Sequence, residues 1–89
     1  MKDIIETNYN SIRERGLITS NTSMKDFINK LDEEVEELKQ SIDKGTLKEI
    51  KEELSDVILV CLNTAYHHGF DIEKELKKKI DKNFERAKL

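Results

Sequence analysis

Apolar residues recur along this chain at steps of three and four for most of its length, the spacing that gathers them on one side of an α-helix. Ile5, Tyr9 and Ile12 mark a first helix over about Lys2 to Arg15, which Gly16 ends. The stretch from Leu17 to Thr22 is rich in side chains that bond to their own backbone, and Ser23 with Asp26 three positions on has the pattern of a capping box. Phe27, Leu31, Val35, Leu38 and Ile42 then continue as one stripe up to the natural stop at Gly45, which predicts a second helix from Ser23 to Lys44. Thr46 caps a third, amphipathic through Leu47, Ile50 and Leu54 before six apolar residues run unbroken from Val57 to Leu62. Gly69 closes that helix, Asp71 caps a fourth, and Ile72, Leu76, Ile80 and Phe84 give the fourth a narrow apolar seam.

The β-branched run from Val57 to Leu62 can be read as a buried strand, but the helical pattern leads into it without a break and no partner strand exists. With no proline and only 3 glycines, the chain also lacks the turn residues a sheet would need. The expected class is therefore all-α: a four-helix bundle in one domain over residues 1–89, with its core at 23–88 and the N-terminal helix at 2–15. A helix that is apolar all round needs cover on several sides, which a chain of 89 residues barely supplies. Completion by a homodimer or homotetramer centred on the third helix is expected.

The net charge of −3 gives no general reason to seek nucleic acid or an anionic membrane. The first residues, Met1 to Glu6, lack the apolar stretch of a signal peptide, and the run from Val57 to Leu62 is too short to span a bilayer. The lone Cys61 sits in apolar sequence and reads as a small buried hydrophobe in a reducing compartment, hence a cytoplasmic location.

Two acidic clusters change the picture: Glu33, Glu34, Glu36 and Glu37 on the second helix, and Glu52, Glu53 and Asp56 on the third. Glu37 and Glu53 each lie eight residues from Gly45, and Glu34 and Asp56 each lie eleven, so an antiparallel hairpin brings the pairs level. On a helical wheel Glu34 falls about 60° and Glu37 about 120° to the same side of Leu31, flanking the apolar stripe, with Lys30 between them. Carboxylates gathered beside a core repel one another and resist desolvation, so they either take up protons or recruit a cation. All-oxygen ligation selects a hard metal, Mg²⁺ with Mn²⁺ as a substitute. Glutamate is also a good helix former, and most acidic runs on helices are solvated surface, so spacing alone does not decide.

The E-E-x-x-E element containing Glu34 and Glu37, followed by E-x-x-D at Glu53 and Asp56, resembles the MazG-like all-α nucleotide pyrophosphohydrolases. The likeness spans roughly Lys30 to Arg86 and takes in Leu54 to Val60, Asn63, His68 to Glu73 and the Lys82-Asn83-Phe84-Glu85-Arg86 ending. It implies a Mg²⁺-dependent enzyme that splits nucleoside triphosphates into monophosphate and pyrophosphate, with Glu34, Glu37, Glu53 and Asp56 as metal ligands. Glu33 becomes the candidate to orient water, and Lys30, Lys79, Lys82, Asn83 and Arg86 the candidates to bind substrate phosphates. His67 and His68, beside the Gly69 stop, read as capping or surface residues, and Tyr66, Phe27 and Phe84 as core before base-stacking platforms. The runner-up enzyme is a phosphoribosyl-ATP pyrophosphohydrolase, which shares the carboxylate logic. A non-catalytic helical interaction module, with the acids as a solvated stripe, is the alternative from another class; a nucleic-acid-binding helical protein is weaker still.

Overall fold

The computed structural model describes residues 1–88 and contains four helices: α1 Lys2–Glu14, α2 Met24–Lys44, α3 Leu47–His67 and α4 Ile72–Ala87. Their ends are set by the expected residues through identifiable bonds. Ser23 and Asp26 form the reciprocal capping box, Ser23 Oγ accepting from Asp26 N at 3.2 Å and Asp26 Oδ2 from Ser23 N at 2.8 Å. Thr46 caps α3 by accepting from Glu49 N, and Asp71 caps α4 by accepting from Lys74 N. Gly16 and Gly69 both take the left-handed conformation, with φ of 75° and 74°. Each closes a Schellman turn, in which Leu17 N donates to Ile12 O at 3.2 Å and Phe70 N to Ala65 O at 2.8 Å. Gly45 ends α2 for a different reason. Its backbone is extended, and a Cβ there would lie 2.7 Å from the Ser41 carbonyl oxygen.

The two-residue link Gly45-Thr46 folds α2 back along α3, and among the described residues these two helices make the most extensive contact; α1 lies against α3, and α4 packs sparingly on α3. Val57 to Leu62 lies in mid-α3, and no strand occurs among the described residues. The core is small and aromatic. Tyr9, Ile18 and Phe27 pack together with Ile12, and the Tyr9 and Tyr66 rings are 4.7 Å apart. His67, expected at the surface or in a cap, stands inside this cluster with its ring 4.9 Å from that of Phe27. Its Nε2 meets Thr22 O at 2.9 Å, and because a carbonyl oxygen only accepts, Nε2 carries the proton. In the neutral ring Nδ1 then accepts from the Tyr9 hydroxyl, also at 2.9 Å, so one imidazole ties α1 and the α1–α2 loop to α3. His68 is the C-cap residue of α3.

Three expectations of burial need correcting. Cys61 is exposed in the single chain, as is Ile58 at 50%, so the apolar run of α3 is covered only on the sides facing α1 and α2. Ile42, at the hairpin end of the α2 stripe, is exposed too. On α4 only Ile72 is half-buried, while exposure climbs from 44% at Leu76 through 51% at Ile80 to 65% at Phe84. Repeated steps of four over-rotate by about 40° each, so the seam winds about 120° around the helix and a single straight neighbour cannot follow it. The chain as a whole is correspondingly open. Its radius of gyration is 15.2 Å, against about 12 Å for a compact domain of this length. Its accessible surface is 7022 Å², against about 5,400 Å² for a compact monomer of 10.4 kDa.

Candidate metal centre

The hairpin places three carboxylates together. One oxygen from each of Glu34, Glu37 and Glu53 lies within 4.8 Å of the others, so a single ion can reach all three. Glu34 and Glu37 are one helical turn apart on α2, and Glu53 faces them from α3 because the short link keeps the two helices in register. Glu34 is only 8% exposed, Glu53 is half-buried and Glu37 opens to solvent, so the cluster is walled on one side and accessible on the other. Asp56, one turn beyond Glu53 and one methylene shorter in the stem, stays outside this triple. Its side chain borders a neighbouring cavity that Glu34 also lines.

The charges are incompletely compensated. Lys30 Nζ approaches Glu34 Oε1 at 3.2 Å and Glu33 Oε2 at 3.5 Å, and the hydrogen bond to Glu34 raises the lysine above its ordinary pKa. The Glu34 charge pushes Glu37 above the usual carboxylate value, reinforced by hydrogen bonding to Glu34, by desolvation and by Glu53. With all three acids ionised, two buried oxygens, Glu34 Oε2 and Glu53 Oε2, have no hydrogen-bond donor, and within the cluster only a proton taken up by Glu37 could supply one. A buried carboxylate oxygen left without a donor is costly, and a hard divalent cation is the partner such oxygens accept best. One ammonium, shared with Glu33, does not neutralise three carboxylates, and a divalent ion offsets the excess negative charge. The donor set therefore fits Mg²⁺ or Mn²⁺.

The remaining expected residues divide. Glu33 is exposed on the solvent flank of α2, paired with Lys30, and both line the cavity beside Glu34. Lys79, Lys82, Asn83 and Arg86 stand exposed along α4 and line no part of that cavity. The cavity, of about 520 Å³, lies between α1, the start of α2 and the middle of α3. Asn8, Arg15 and Thr22, which no sequence motif marks as functional, line it together with Asn63 of the family-like stretch. Nothing local marks them, since Asn8 and Asn63 meet across 55 residues of sequence.

An all-α hairpin with converging carboxylates defines a class of helical proteins equipped to hold a divalent cation next to a ligand cavity. Residues 20–89 match the family model for the MazG nucleotide pyrophosphohydrolase domain, and the chain belongs to that family. Membership supports a nucleotide pyrophosphohydrolase, a hydrolase acting on an acid anhydride, in a family that is typically metal-dependent. No curated protein and no solved structure matches the chain significantly. No helix among the described residues is long and apolar enough to cross a membrane.

Proposed function

We propose that the protein is a Mg²⁺-dependent nucleoside triphosphate pyrophosphohydrolase, converting a ribo- or deoxyribonucleoside triphosphate and water to the monophosphate and pyrophosphate. The observation that carries this reading is the pair of partnerless buried oxygens on Glu34 and Glu53 within a three-carboxylate cluster. Glu34, Glu37 and Glu53 hold the ion in this reading, and Asp56 joins as fourth ligand by a rotamer change or through water. When bound, the ion supplies charge neutralisation at the phosphate oxygens and makes water more acidic. Glu33, exposed at the cavity edge, orients the attacking water in line with the α-phosphorus. Lys30 holds Glu34 in place and brings a positive charge to the phosphate side of the cavity.

A second copy of the chain completes the assembly. Leu47, Leu54, Ile58 and Cys61 lie along α3 at steps of seven, four and three, an exposed stripe with the spacing of a helix–helix seam. The surface beyond that of a compact monomer, about 1,600 Å² on one chain, is about twice what one partner contributes to a standard interface. Lys79, Lys82, Asn83 and Arg86 are assigned to the triphosphate, delivered by the α4 of a neighbouring copy, because α4 of the same chain borders no part of the carboxylate cavity. The test is incubation with a panel of nucleoside triphosphates and Mg²⁺, reading pyrophosphate against orthophosphate. Pyrophosphate with monophosphate is expected, and release of orthophosphate alone contradicts the reaction type.

A further inference from the structure

The cavity beside the carboxylates has a chemically mixed lining. Glu34, Asp56 and Lys30 are among its charged lining, Asn8 and Asn63 meet as an amide pair, two helical turns along α3 from Asp56, and Ile12, Leu59 and Val60 supply apolar surface. Asn8 Nδ2 donates to Asn63 Oδ1 at 2.9 Å, and Asn63 is only 6% exposed. An amide pair joined by one such bond leaves one carbonyl oxygen and one NH2 group wholly unused, here Asn8 Oδ1 and Asn63 Nδ2. Flipping both amides exchanges the roles but still leaves one donor and one acceptor. A neighbouring donor and acceptor are what the hydrogen-bonding edge of a nucleobase requires, and an apolar wall beside them suits its faces. The volume of about 520 Å³ is in the range of small-ligand sites.

We propose that this cavity takes the nucleoside part of the substrate and that the Asn8–Asn63 pair reads the edge of its base. The proposal rests on the nucleotide reading above and adds to it which residues choose the nucleotide. Half of the reader comes from α1. Asn8, Ile12 and Arg15 lie outside the 20–89 span that matches the family, so base preference is set jointly by Asn63 of the hairpin and by a segment attached to it.

Three variants test it, each checked for unchanged folding by its urea midpoint. Asn8→Leu removes the amide. Ile12→Trp fills the cavity from a half-buried position. Asn8→Asp preserves the pairing, since Asn63 can turn to donate to the new carboxylate, but presents two acceptors to the ligand in place of a donor and an acceptor. Each is titrated with the four ribonucleoside and four deoxyribonucleoside monophosphates, and with pyrophosphate, all with Mg²⁺; turnover of the triphosphates is read separately. Asn8→Leu and Ile12→Trp are expected to weaken the preferred monophosphate about tenfold or more with pyrophosphate affinity unchanged. Asn8→Asp is expected to reorder the preference toward bases that offer an amine at that edge. Unaltered base ranking in all three variants overturns the proposal, as does a loss that falls equally on pyrophosphate. A wild-type protein that binds monophosphates selectively but releases no pyrophosphate refutes the hydrolase reading and leaves the base reader standing.

Discussion

Replacing Glu34 by glutamine should make the metal-free protein more stable while abolishing its response to magnesium. Glu34 Oε1 is held by Lys30 at 3.2 Å, whereas Oε2 is buried without a donor, on a carboxylate that clusters with those of Glu37 and Glu53. Glutamine keeps an oxygen for Lys30 and puts an amide nitrogen where the orphan oxygen was. That nitrogen donates to its neighbours. Leaving a buried oxygen unsatisfied costs about 1–3 kcal/mol, so recovering most of that is worth about 1–2 kcal/mol. For a domain of this size the gain corresponds to a rise in Tm of about 5–15 °C. Magnesium separates the two proteins. At ten times its Kd it stabilises the wild type by about 1.4 kcal/mol, or roughly 6–11 °C, and should leave the variant unmoved. Differential scanning calorimetry with and without Mg²⁺ gives all four melting temperatures. A metal-free variant that melts below the wild type refutes the cost assigned to the unpartnered oxygen, and a variant that gains as much from magnesium refutes the ligand assignment.

Removing the Tyr9 hydroxyl in Tyr9→Phe leaves His67 Nδ1 without its donor and should cost about 1–3 kcal/mol, measured as a lower urea midpoint. The Ser23 backbone and side-chain bonds hold the Asp26 carboxyl below its ordinary pKa. A depressed acid stabilises the fold above its unfolded pKa and loses that contribution as pH falls through the folded value, so the stability gap between wild type and Asp26→Ala should close on acidification past the ordinary aspartate range; a gap independent of pH contradicts the capping role. Ile58→Lys places a charge on the exposed α3 stripe and should give a monomer by light scattering, where the proposed assembly predicts an oligomer for the parent protein; a parent that is itself monomeric contradicts that assembly.

What the sequence made legible were relations carried within one helix or across one short link. The α2–α3 hairpin has only Gly45 and Thr46 between its helices, so counting outward from the turn was enough to bring Glu37 and Glu53 level, with Glu34 one helical turn away. The same counting put Asp56 opposite Glu34, but a count of residues does not include the length of a side chain, and the aspartate falls short of the triple. The α1–α3 contact is a different kind of relation. It is fixed by Tyr9 reaching His67 across 58 residues and by Asn8 reaching Asn63 across 55, and neither helix carries a local sign of which register the other will choose. The core histidine and the nucleoside cavity were therefore missed together. They depend on one docking event, and it should leave one signature: a change at Tyr9 or His67 that shifts α1 must disturb base preference, while the carboxylate cluster, built on the α2–α3 hairpin alone, keeps its hold on the metal.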